Sequence, residues 1–369
     1  MTWPLLKNVL TCTALAVALA LSSCSAPAPR KHKARAHEPA EVKIVLAGDI
    51  MLSRYVAAQI QKSKNPLLPF EKLADFLQSS DFNFANLEAP ISGSDKFTPT
   101  GSMVFNVPRG NIEGLERYNF KILSLANNHA LDQGPAGAAY TRQYLAAHGI
   151  LCVGTGSDIE QAWQPAIVEA KGRKIGFLAA SYSSYNDGGK QTNRYVARIE
   201  DLKRLRERIA ELKTKAELII VSMHAGNEYA TRLTDGQAIF AHAAIDAGAD
   251  IVAGAHPHCV QAVEQYKSGL IFYSLGNFIF DQHSPEAKQG LAVKLTLSGA
   301  RRVTAELYPL EIERYCCPRM ASEAAAKEVL ARAHVTSRVI RIERDQRVSP
   351  PATPAIPYLH PEPRPPNRP

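Results

Sequence analysis

Six short apolar runs, each closing on a residue able to bind a cation or move a proton, constrain this chain more than any other feature. They are VKIVLAG (42–48), DFNFANL (81–87), FKILSLA (120–126), ELIIVSM (217–223), DIVAGA (250–255) and LIFYSLG (270–276). Runs this apolar are buried on both faces when they form strands, and the helix-like stretches between them argue for an α/β domain. Amphipathic spacing predicts helices over 70–78, 135–148 with Gly149 as terminator, 202–213 and 234–247, and a last one over about 322–333. AIVEAKGRKIGFLAAS, turning at Lys171-Gly172-Arg173, predicts a hairpin, and the alternating segment after Leu291 predicts a second one at the sheet edge.

The first run leads to Asp49, the second to Asn86-Leu87-Glu88 and the third to Asn127-Asn128-His129. The fourth leads to His224, the fifth to His256-Pro257-His258 and the sixth to Asn277. In α/β sheets ligands bind beyond the carboxyl ends of the strands, so groups far apart in sequence can converge there. One Asp or His in such a place is commonly a cap or a hydrogen-bonded core residue; successive strand ends bearing oxygen and imidazole groups point to a shared site. Two carboxylates, a carboxamide and three imidazoles suit Mn²⁺, Zn²⁺, Fe or a pair of such ions. No cysteine pair has zinc-finger spacing. In His256-Pro257-His258 an extended segment, favoured by the proline, would place both imidazoles on one side. Cys259 reads as a small buried residue rather than a ligand, Asn277 as a turn residue beneath the site, and His242 and His283 as structural or exposed.

The runs GDIMLSR (48–54), NLEAPI (86–91), NNHALDQG (127–134), HAGNEY (224–229), GAHPHCVQ (254–261) and YSLGNFIFDQ (273–282) together resemble the CapA family of bacterial capsule and poly-γ-glutamate synthesis. The resemblance covers about residues 41 to 300 and implies a calcineurin-like metallophosphatase fold, a four-layer α/β/β/α sandwich with the metal site at one edge. It implies Asp49, Glu88, Asn128, His224, His256 and His258 as metal ligands, with Glu88 bridging if two ions bind. It further implies His129 as general acid, Asp132 as the group that orients it, and matched positions at Glu228 and Tyr229. Glu228 is a second candidate proton donor and Tyr229 a candidate substrate contact. Arg54 is a candidate clamp for an anionic group, because guanidinium pairs bidentately with carboxylate or phosphate. Two positions depart from the family pattern. Met51 stands where related phosphatases carry an imidazole, which bears on a second metal, and Ala225 stands where much of the family carries Trp. The substrate expected is an anionic envelope polymer or a phosphate ester, with capsule-synthesis membrane proteins as partners; a non-catalytic assembly role is the rival.

Composition excludes collagenous, coiled-coil and wholly disordered chains: 46% of the 369 residues are hydrophobic and 21% charged. The formal +8 suggests an anionic partner, yet only +3 falls between Glu41 and Arg347, which gives no reason to expect nucleic acid. The rest lies in segments outside the expected fold. Residues 1–23 read as a lipoprotein signal, with the apolar run 9–21 too short for a permanent span and Leu21-Ser22-Ser23-Cys24 resembling a lipobox. Residues 24–40 read as a basic tether and 348–369, with nine prolines, as a solvated tail, leaving 41–347 as the folded domain. Ser25 fits outer-membrane sorting and the periplasmic face. Of the remaining thiols, Cys316 and Cys317 are neighbours, and a bridge between neighbours is strained, so partners elsewhere or free thiols are expected. Labelled palmitate should enter the wild-type protein and not Cys24→Ala, which should also leave the membrane fraction; a Cys24→Ala protein that stays membrane-bound contradicts the anchor.

Overall fold

A computed structural model describes residues 40–96, 98–182, 194–300 and 302–343. The signal, tether, Cys24 and Pro-rich tail lie outside these residues. The chain builds one sheet, then another, and returns to the first. It opens with the parallel strands β1 (Val42–Ile50), β2 (Phe82–Leu87), β3 (Phe120–Ser124) and β4 (Leu151–Val153). The second sheet holds β5 (Ala166–Ala170), β6 (Arg173–Ser181), β7 (Leu218–His224), β8 (Ile251–Ala255), β9 (Val263–Tyr266) and β10 (Gly269–Phe272), ordered β5-β6-β7-β8-β10-β9. Then β11 (Asn277–Ile279) pairs with β1, and β12 (Gln289–Ser298), β13 (Arg302–Glu313), β14 (Cys317–Met320) and β15 (Val339–Glu343) extend the first sheet. The hairpin expected at 166–181 forms an edge, as β5 and β6. The one expected after Leu291 also forms, as β12 and β13, but not at an edge: β12 lies between β1 and β13, and β13 pairs with both β14 and β15. The alternation of apolar and polar residues along β12 and β13 suggested an edge, but the chain beyond them supplies two further strands.

The two sheets face each other. Ile44, Leu46, Phe84 and Ile122 of the first interlock with Ile175, Phe177, Ile220 and Phe272 of the second, all essentially buried. Each such side chain removed from water contributes about 1.5–3 kcal/mol. Helices α1 (Arg54–Ser63), α2 (Ala74–Gln78), α3 (Glu113–Arg117) and α4 (Gly134–Ala147) lie with the outer face of the first sheet, where Val56, Leu77, Leu115 and Leu145 share a core with Val45 and Leu123. Short α5 (Ile159–Ala162), α6 (Leu202–Lys213) and α7 (Asp235–Ala247) cover the second, where Leu205, Ile209 and Phe240 pack on Ile219 and Val221. α8 (Glu323–Arg332) packs on β12 and β13. The result is the expected four-layer α/β/β/α sandwich. α7 starts with a full capping box, Thr234 and Gln237 each serving the other's backbone, and stops at Gly248 in the left-handed region. Missed in the sequence were α1, although Ser53 stands at its N-cap, and short elements such as α3, α5 and three-residue β4. No helix among the described residues is long and apolar enough to cross a membrane.

Register sets the site. Asp49 on β1 lies opposite Asn86 on β2 and Asn277 on β11, while His224 on β7 lies opposite Ala255 on β8. The Asp49 N–H donates to the Gly276 carbonyl at 3.0 Å, and a Cβ on Gly48 would fall 1.9 Å from that same oxygen. Gly48→Ala should therefore push β1 from β11 and destabilise the fold by about 3 kcal/mol or more; a melting temperature unchanged from wild type would contradict this account of the junction.

Candidate metal centre

Asp49, Glu88, His224, His256 and His258 converge where the strand ends of the two sheets meet, and each is at least 98% buried. Two groups can each hold one ion: Asp49, Glu88 and His258, and Glu88, His224 and His256. Glu88 belongs to both, the position of a bridging ligand.

The polar groups around this cluster sort into satisfied and unsatisfied. Asp49 accepts from Asn86 Nδ2 at 2.8 Å through Oδ1 and from the His256 N–H at 3.1 Å through Oδ2. His258 Nδ1 lies 2.9 Å from Asn277 Oδ1, an acceptor, so that nitrogen carries the proton and Nε2, 3.7 Å from Glu88 Oε1, is left with its lone pair. His224 Nε2 lies 2.8 Å from Asn128 Oδ1 and its Nδ1 lies 3.3 Å from Asn86 Nδ2. Within the cluster of Asp49, Glu88, His224, His256 and His258, two buried atoms have no partner among the described residues, Glu88 Oε1 and His256 Nδ1. Both are lone-pair atoms, and buried polar groups are rarely left unpaired. The donor set therefore fits a divalent cation.

The titration behaviour agrees. Burial pushes the Asp49 carboxyl above its ordinary range and Glu88 well above it, the latter raised further by Asp49. Burial likewise holds His224 well below the ordinary imidazole range and takes His256 down to about 3. His258 is lowered by burial against the opposing pull of Asp49. These are the shifts expected of a charge-bearing set from which water is excluded.

Asn128 meets the cluster through His224. His129 is 2% exposed, and its Nδ1 sits 2.8 Å from Asp132 Oδ2. Asp132 also accepts the Phe105 N–H at 2.6 Å, and the Phe105 ring stacks on His129 at 3.9 Å. Glu228 stands exposed at the rim, close enough to raise Glu88. Tyr229, 49% exposed, lies 5.9 Å from the His258 ring and donates to Gln282 Oε1 at 2.9 Å. Arg54 is 8% exposed; one terminal nitrogen pairs with Asp281 and the other donates to the Ser102 carbonyl at 3.2 Å, with the guanidinium 4.7 Å over Phe105. As a clamp it would have to exchange these partners for a ligand.

Three expectations need revision. The His256–His258 segment is not extended: both histidines have positive φ, 98° and 58°, and a tight bend brings their rings to 6.2 Å. Such backbone strain is tolerated where surrounding structure holds it. Asn277 is a strand residue that orients His258 and also donates to the Ala287 carbonyl, rather than a turn residue. Asn86, given no role from sequence, touches Asp49, Glu88 and His224; its spacing of two from Glu88 places both on one strand face and was the available signal. Cys259 donates its thiol to the Ala230 carbonyl, and burial raises it to about 11, in keeping with a core residue. Met51 is buried, its sulfur accepting the Ser53 N–H at 3.1 Å, so no imidazole reaches the centre from that position.

The fold and site define an α/β sandwich protein with a buried carboxylate–imidazole cluster that could hold a metal ion. Residues 43–282 match the model of the bacterial capsule synthesis protein family PGA_cap, and the chain belongs to that family. It is 30% identical over 267 residues to the PGA biosynthesis protein CapA of Bacillus subtilis strain 168, covering 72% of this chain and 70% of that one. It is 27% identical over 286 residues to the capsule biosynthesis protein CapA of Bacillus anthracis, covering 75% and 69%. Among solved structures it is similar to the calcineurin-like phosphoesterase YfkN of Bacillus subtilis, with 14% identity, a TM-score of 0.41 and coverage of 80% and 96%.

Stability should report the cation. A raised carboxyl pKa contributes stability at acid pH that is lost as pH rises through the folded value. The lowered imidazoles contribute above about 6.5 and lose it as pH falls toward their folded values, about 3 for His256. A cation removes the first loss and requires neutral imidazoles. At an ion concentration about 100-fold above Kd it should add about 2.7 kcal/mol near pH ~8 and clearly less near pH ~5.5. Melting curves with and without chelator check this, and identical curves at both pH values contradict it.

Proposed function

We propose that this protein is a metal-dependent hydrolase or transferase acting on an anionic polymer of the cell envelope, poly-γ-glutamate or a relative of it. The observation that carries the reading is the joint burial of Asp49, Glu88 and three imidazoles beside a histidine whose second nitrogen is already held by a carboxylate. Support for the substrate class comes from the names of its relatives, which concern capsule and PGA biosynthesis.

Asp49, Glu88, Asn128, His224, His256 and His258 would hold one or two ions of Mn, Zn or Fe. Such an ion supplies Lewis-acid polarisation of an acyl or phosphoryl oxygen and brings the pKa of water toward about 7. The remaining work belongs to the protein. Asp132 fixes the His129 ring by accepting at Nδ1, which leaves Nε2 to pass a proton to a leaving group. Phe105 covers the ring and keeps bulk water from it. Glu228 and Tyr229, both exposed, meet the polymer at the rim. The Cys24 anchor would hold the domain at the membrane, beside capsule-synthesis membrane proteins.

Metal-loaded protein should shorten or transfer γ-linked glutamate oligomers, with His129→Ala reducing the rate about 10²- to 10⁴-fold while leaving the melting temperature nearly unchanged. Unchanged oligomers together with turnover of p-nitrophenyl phosphate or its bis ester would replace the polymer by a phosphate ester. Inertness toward all three would leave an assembly role.

A further inference from the structure

A cavity of about 460 Å³ has its wall formed by Arg54, Tyr55, Thr100, Gln282, His283 and Tyr315 among others. Tyr315 is part of that wall. Its ring meets Tyr55 edge-on at 5.9 Å and His283 at 4.8 Å, and the Lys288 ammonium sits 4.6 Å over it. It occupies the tight hairpin between β13 and β14, where the Cys316 N–H donates to the Glu313 carbonyl at 3.1 Å. Both Arg314 and Tyr315 have positive φ, 50° and 58°. Side-chain-bearing residues seldom adopt that conformation in succession, since such turns favour Asn and Gly.

Directly after Tyr315 come Cys316 and Cys317, 1% and 5% exposed, with their sulfurs 2.8 Å apart. Neither is in a disulfide. We propose that these two cysteines form a redox-active vicinal dithiol, closed by exchange with the disulfide of another molecule, and that closure shifts Tyr315 in the cavity wall. The inference does not depend on the metal centre or on its chemistry.

Exchange proceeds in two displacements. The Cys317 thiolate attacks one sulfur of a partner R–S–S–R, forming the mixed disulfide and releasing R–S⁻. The Cys316 thiolate then attacks the Cys317 sulfur, closes the Cys316–Cys317 bond and releases the second R–S⁻. The two protons given up by the cysteines protonate the two leaving thiolates, and the two electrons of the dithiol reduce the partner. Contact with Cys316 keeps the Cys317 thiol below its ordinary value against the effect of burial, with Lys72 and Arg314 assisting, which suits it to attack first. The pair lies just beneath an exposed turn residue, Arg314, so opening of this hairpin alone admits a small disulfide. Adjacent Cα atoms are about 3.8 Å apart, whereas unstrained disulfides span about 4.4–6.8 Å. The closed form is therefore strained and easily reduced, the property of a switch rather than a staple. The turn that carries Tyr315 must absorb that strain.

The test equilibrates the full chain with mixtures of oxidised and reduced glutathione, alkylates free thiols and digests with trypsin. Cleavage after Arg314 and Arg319 releases a peptide with Cys316 and Cys317 as its only cysteines. The expected result is loss of two hydrogens from that peptide under oxidising mixtures, restored by dithiothreitol. Full alkylation of both thiols at every ratio overturns the proposal, as does a lasting glutathione adduct or a bridge to Cys152 or Cys259. In Tyr315→Trp, indole fluorescence should change on oxidation and stay constant once Cys316→Ser is added, with Cys317→Ala as the control should that serine variant not fold. Closure without any fluorescence change overturns the link to the cavity wall. Both readouts work in chelator, so their failure leaves the metal reading standing.

Discussion

Two carboxylates buried side by side are the constraint on which the rest of this structure depends. Ionised Asp49 and Glu88 repel each other in a region closed to water, and burial raises both. The protein surrounds them with what lowers that energy: Asn86 and the His256 N–H against Asp49, and three imidazoles within reach of one ion or two. One oxygen of Glu88 is left without a hydrogen bond. Removing Asn86 would leave Asp49 Oδ1 buried without its donor, which costs more than the hydrogen bond itself contributes.

That constraint explains the topology around it. Asp49 has to leave β1 between β2 and β11, and the Gly48–Gly276 approach is what lets β11 come close enough. The second sheet must then deliver His224 at the end of β7 and turn sharply at His256 and His258, which is why strained backbone collects there. The cores between and outside the sheets hold these strand ends in place, so stability and site geometry are one problem.

Much of this was legible in the residues. Apolar runs announced β1, β2, β3, β7 and β8, and the polar residue at the end of each announced the cluster. Spacing was silent where the answer is three-dimensional. Nothing local indicates that β12 and β13 sit inside a sheet, because the strands that cover them come later in the chain. Pro257 argued for extension, yet convergence of two imidazoles on one centre required a left-handed bend instead. The identity of Arg54 suggested an anion clamp, and only the fold reveals that Asp281, more than two hundred residues away, already holds it. Asn86 was visible by its spacing from Glu88, but a carboxamide that organises other side chains has no signature of its own.

The central claim is that Glu88 is shared by groups that together hold a cation. Metal analysis of tag-free, full-length protein after chelation, reloading with Mn²⁺, Zn²⁺ or Fe²⁺ and desalting tests it most directly, with folded Glu88→Gln as comparison. The wild type should retain about one or two equivalents and the variant almost none, as expected for removal of a primary ligand. Less than about a tenth of an equivalent in the wild type under all three ions, or equal loading of both proteins, would contradict it.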